Sequence, residues 1–180
     1  MKTSSTRRLV LAGLFIALGL FLPFLTGQIP RVGSMLLPMH IPVLIAGFVC
    51  GWPYGLIVGF ITPLLRTVLF GMPPLYPTAV AMAFELAVYG FATGFFYNVL
   101  PKKNIFVYGA LIISMVCGRI AWGIVSWVLY GLRGTAFTWQ MFAAGSVINA
   151  IPGIIVQIVI IPVIILALKK GNLIESGASA

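Results

Sequence analysis

Ionisable side chains are scarce in this chain, so each one inside an apolar run carries information. Arg66, Glu85 and Arg119 all lie within such runs, and His40, the only histidine, opens another. Placing an ionisable group in hydrocarbon costs at least about 2.5–3.5 kcal/mol, so these residues are expected to face a bundle interior or a cavity. Arginine presents a planar fork of N–H donors that matches a carboxylate or phosphate through two parallel hydrogen bonds. Two arginines against one glutamate leave one positive charge in surplus. The chemistry favoured is capture of an anionic or carboxylate-bearing small solute. Asn149 adds an amide, and Trp122 and Trp127, near Arg119, offer apolar or stacking walls. Tyr76 sits in a proline-stiffened segment, Gly71-Met72-Pro73-Pro74-Leu75-Tyr76-Pro77, from which it can cap a pocket.

Each residue also has a plainer reading. Arg66 is shallow enough to snorkel to headgroups. Glu85 and Arg119 can be a structural ion pair between helices. His40 can be interfacial, and Asn149 can be interhelical glue. Catalysis is starved of residues: there is one histidine and there are two carboxylates, the second being Glu175 near the C-terminus. Cys50 and Cys117 lie in apolar runs without CxxC or Cys/His spacing, and read as small buried hydrophobes. No metal site, nucleophile elbow or P-loop is present, so the chain reads as a non-enzyme that binds no metal or cofactor and cannot itself hydrolyse ATP.

The elements that must position these residues are membrane helices. Of 180 residues, 61% are hydrophobic and 7% charged, and mean hydropathy is +1.15, far from the roughly 25% charged content of soluble domains. The net charge of +9 comes from basic residues at the ends of apolar runs, not from a stripe, which excludes a nucleic-acid reading. The spans expected are 9–25, about 40–50, about 53–70, 78–100, 105–130 and 140–168. The second and third come from dividing one long apolar stretch at Gly51-Trp52-Pro53. Charge supports the division. With six helices and both termini cytoplasmic, Lys2, Arg7, Arg8, Lys102, Lys103, Lys169 and Lys170 lie inside, against Arg31 and Arg133 outside. The fold class is therefore an all-α membrane protein. Residues 1–170 form a single six-helix domain and 171–180 a polar tail. A rise of about 1.5 Å per residue places Arg66, Glu85, Arg119 and Asn149 roughly 7, 10, 16 and 13 Å deep from the outer face, so they share an outward-facing pocket.

Gly47, Gly51, Gly55 and Gly59 recur every four residues, and Gly90 and Gly94 repeat the spacing. Such small-xxx-small stripes let membrane helices approach closely, and packing within the bundle is the default reading. Gly13 and Ala17 form a similar stripe on the first helix, open to a second reading as an interface with another membrane subunit.

The chain resembles the S components of energy-coupling-factor (ECF) transporters, the vitamin-binding membrane subunits. The resemblance covers nearly the whole chain. It is carried most specifically by Met39-His40-Ile41-Pro42-Val43-Leu44-Ile45-Ala46-Gly47, Pro63-Leu64-Leu65, Gly71-Met72-Pro73-Pro74 and Phe84-Glu85-Leu86-Ala87-Val88-Tyr89-Gly90. It implies a plasma-membrane subunit that binds vitamin from outside and docks on a membrane T component driven by two cytoplasmic ATPases, which use the ATP. The family's AxxxA docking stripe falls on Gly13 and Ala17, with glycine at the first place. The motifs resemble those of riboflavin, pantothenate and hydroxymethylpyrimidine or pyridoxine binders; the surplus arginine favours an acid such as pantothenate. Two other readings stand beside it: a stand-alone secondary transporter with Glu85 or His40 as proton site, and a ligand-free structural subunit.

Overall fold

A computed structural model describes residues 5–26, 29, 33, 35–101 and 103–171. Lys2, Arg31, Lys102 and the tail from residue 172 fall outside the described residues. All regular structure among those described is helical.

Helix α1 spans Ser5–Phe21 and runs into a 3-10 turn, Leu22–Thr26. Pro23 explains the change, because it has no N–H for the ladder and disfavours α geometry in the residue before it. Helix α2 is His40–Cys50 and α3 is Trp52–Phe70. Gly51 separates them with φ 89°, a conformation that strains any side chain, so the division expected at this glycine is present. A π-helical turn, Leu75–Ala79, leads into α4, Val80–Val99, and α5 is Ile105–Leu132. The final span is not the continuous helix expected. It is a short α6, Trp139–Ala143, a π-helical turn, Ala144–Ile148, and then α7, Ile151–Lys170. Pro152 is the cause: its ring would clash with the carbonyl four residues earlier.

Five helical segments are long and apolar enough to cross a membrane: Ser5–Leu25, Trp52–Phe70, Leu75–Val99, Ile105–Leu132 and Trp139–Lys170. The shorter apolar helix α2 has 11 residues and reaches only about 16 Å, half of a hydrocarbon core. It is also the most enclosed helix. Nine of its residues are buried, which matches a helix apolar on every face. It packs against α1, α3, α4 and α7.

The glycine stripes of α2, α3 and α4 belong to the interior. A Cβ at Gly55 would run into the Gly90 carbonyl, one at Gly59 into Leu86, and one at Gly47 into Thr93 and Gly90. Backbones therefore touch where side chains would hold them apart. Side-chain contacts fix which helix ends lie together. Arg66, late in α3, reaches the Leu20 carbonyl at the end of α1, whereas Lys169 at the end of α7 donates to Asn104 before α5. Phe48 and Tyr97 stack edge to face near the ends of α2 and α4.

Candidate functional site

The end of the bundle holding Leu20 and Arg66 contains a cavity of about 530 Å³. Its floor is ionic. Arg119 Nη1 donates to Glu85 Oε1 at 2.9 Å, and His40 Nε2 lies 3.5 Å from the same oxygen. The three residues come from α5, α4 and α2. Glu85 and His40 are 2% and 1% exposed, so water is largely kept from the pair. Neither His40 nitrogen makes a hydrogen bond, and Nε and Nη2 of Arg119 are likewise buried without a partner. Those two Arg119 atoms form one edge of the guanidinium, the side-on fork that takes a carboxylate through two parallel N–H donors. Glu85 thus fixes the arginine by its other side, while the Nε and Nη2 edge is enclosed by the protein.

His40 owes its position to the turn ahead of α2. Leu37 is buried in the left-handed region, φ 50°, and its carbonyl accepts the His40 N–H at 3.0 Å. The ring then packs edge-on against Tyr89, centroids 5.4 Å apart. Tyr89 itself fits beside α5 because residue 118 is glycine.

Walls and roof are mostly apolar. They include Met39, Met82, Pro73, Pro74 and Trp122. Thr67 donates to the Pro73 carbonyl at 2.7 Å, tying the proline segment to the end of α3. Trp122 packs against Phe142 and Phe137, and Gly145 opposite it leaves room for the indole.

Of the seven residues singled out from the sequence for solute binding, His40, Arg66, Glu85, Arg119, Trp122 and Asn149 line this one cavity. Tyr76 does not line it. Its hydroxyl donates to the Leu129 carbonyl at 2.5 Å, and its ring stacks under Arg133. Arg66 is 4% exposed, which argues against snorkelling. Its Nη1 donates to the Leu20 carbonyl at 2.5 Å, and its guanidinium lies over the rings of Phe24 and Phe70. It closes the end of α1, whose last carbonyls have no helical partner. Asn149 is exposed, and it lies in the break before α7 rather than within a helix. Trp127, the other suggested wall, points away from the cavity into an open groove with Trp139. Sequence reasoning missed Met82 and Gly145. Met82 stands three residues before Glu85 on one helix face, so spacing alone would have found it; Gly145 carries no such signal.

On α1, Ala12, Phe15 and Gly19 pack inward. Gly13 faces outward with nothing near its Cβ position, and Ala17 is half-buried.

A helical bundle with five membrane-length apolar segments and a cavity at one end is the architecture of a multi-pass membrane protein. Residues 7–165 match the family model of the ECF transporter substrate-specific component, and the chain belongs to that family. It is thus a multi-pass membrane protein and a transporter subunit; the family is not one of enzymes. No curated protein and no solved structure matches the chain.

Proposed function

We propose that this chain is the vitamin-binding S component of an ECF-type importer in the plasma membrane. It crosses the membrane six times with both termini cytoplasmic, so the cavity opens outward. The short α2 then spans together with the turn that precedes it. The cavity captures a small water-soluble vitamin or precursor, and docking on the T component and two ATPases delivers it inward. The chain needs no cofactor of its own; ATP is used by the partner ATPases. Gly13 and Ala17 on the outward face of α1 meet the T component.

The preferred solute class is a carboxylate such as pantothenate. The observation carrying this choice is the charge of the cavity lining, in which Arg66 and Arg119 outnumber Glu85. Glu85 pairs with Arg119, and Arg66 has only neutral partners, the Leu20 carbonyl and two rings, so its positive charge stays in the lining. The test is thermal stability of the purified protein against a panel of B vitamins and precursors. A ligand at 100 times its Kd adds about 2.7 kcal/mol, a clear shift. A carboxylate hit supports the charge reading. A purely neutral hit removes it, and a fully unresponsive protein argues against this ligand class.

A further inference from the structure

The two arginines of the cavity lining are in opposite situations. Arg119 is paired to Glu85, and its Nε and Nη2 atoms are enclosed, so it offers a ligand neither surplus charge nor a donor. The nitrogens of His40 are enclosed as well. Arg66 pairs with no carboxylate among the described residues. Its hydrogen bond runs from Nη1 to the Leu20 carbonyl. Its Nε and Nη2 make no hydrogen bond and, unlike those of Arg119, are not sealed off by protein. Bonding through Nη1 leaves the Nε–Nη2 edge, the side-on fork that accepts a carboxylate.

This guanidinium is also held in place before any ligand arrives. Its Cζ lies 5.1 Å from the centre of the Phe24 ring and 5.4 Å from that of Phe70, and the two rings meet edge to face. The next residue, Thr67, ties the end of α3 to the Pro73 carbonyl. An arginine fixed in this way loses less freedom when it binds. The other exposed polar side chains described in the lining, Thr78 and Asn149, are neutral. They can hydrogen-bond a ligand but cannot balance its charge, and an anion placed in a largely apolar cavity needs a counter-charge.

We propose that Arg66 is the carboxylate seat of this cavity: its Nε–Nη2 edge takes the ligand's carboxylate while Nη1 keeps the Leu20 carbonyl, so one guanidinium bridges the ligand and the end of α1. Arg119 acts at one remove, cancelling Glu85 so that the charge of Arg66 is left for the ligand. The proposal rests on the carboxylate reading above and names the residue that makes the choice between an acid and its neutral counterpart.

The test uses matched pairs on the full chain in nanodiscs near neutral pH: sodium pantothenate and pantothenol, sodium nicotinate and nicotinamide, sodium propionate and propionamide, with sodium chloride equalising the salt. Titration calorimetry gives each Kd. In the native chain, an acid that binds is expected to do so at least about tenfold more tightly than its neutral partner, and in Arg66→Gln the ratio is expected to fall below about threefold. A second measurement needs no substitution, since Arg66 also supports the fold. Butanedione, which modifies accessible guanidinium groups, is expected to label Arg66 in the empty native chain. Peptide mapping is expected to show that a bound acid protects it and that the neutral partner at the same concentration does not.

If propionate meets these expectations and no vitamin binds, the seat stands and the vitamin reading falls. If a vitamin acid binds but its ratio is unchanged in Arg66→Gln, or Arg66 is labelled equally with and without it, the seat is overturned and the vitamin reading stands. Neutral partners that bind as tightly as the acids overturn the seat and the carboxylate choice together, and leave vitamin binding in place. The seat is also overturned if no acid binds, or if butanedione fails to reach Arg66 in the empty protein.

Discussion

Glu85→Gln is the most informative single change, because Glu85 joins three helices through one oxygen. At 2.9 Å and an effective dielectric constant of about 20, its gross attraction to Arg119 is about 6 kcal/mol. Desolvation offsets much of this in the intact pair. Removing one partner still leaves the other charge buried, at a cost of about 3–5 kcal/mol. Arg119 retains 13% exposure and Gln keeps an acceptor in place, so the lower end, about 3 kcal/mol, is expected for Glu85→Gln. Arg119→Met strands the more deeply buried Glu85 and is expected to cost about 3–5 kcal/mol. The double variant removes both charges and is expected to lose less than the two single losses together, with a coupling of at least about 2 kcal/mol. The assay is equilibrium unfolding in mixed micelles, followed by tryptophan fluorescence, for the native chain and all three variants. Additivity within about 0.5 kcal/mol would refute the pair as a coupled element of the fold.

Other outcomes follow from the same geometry. Arg119→Ala is expected to weaken ligand binding more than about tenfold, since a charged hydrogen bond contributes about 1.5–3 kcal/mol; titration calorimetry measures it. Gly145→Ala places a Cβ 2.6 Å from the Trp122 ring, so ligand affinity is expected to fall while the melting temperature moves little. Gly90→Ala drives a Cβ into the Gly55 carbonyl, and overpacking of at least about 1–3 kcal/mol is expected to appear as lost thermal stability. Gly13→Leu meets nothing within 4 Å, so stability and ligand binding are expected to hold while co-purification of the T component and ATPases is lost.

Helix positions were legible in the sequence because apolar run length and proline or glycine breaks are local signals. The division at Gly51 followed from residue type alone, and its left-handed-side φ shows why. The break before α7 was not read, although Pro152 announces it, because the apolar run continues unbroken across it. Charge drew attention to His40, Arg66, Glu85 and Arg119, because an ionisable residue in an apolar run has few places to go, and all four line one cavity. What charge could not reveal was commitment. Arg66 satisfies a helix end and two rings, and Tyr76 faces Leu129 and Arg133, because partners distant in sequence decide both.

The short α2 connects the fold to the site. It shares the Gly51 turn with α3, a helix of 19 residues and about 28 Å, yet α2 itself ends about 16 Å from that turn. The bundle beyond His40 consequently lacks one helix, and the space is bounded instead by Pro23, Leu37 and the proline segment. A full-length helix there would fill the cavity with side chains. The lining at that end therefore joins His40 of α2, Glu85 of α4 and Arg119 of α5, held together through one Glu85 oxygen.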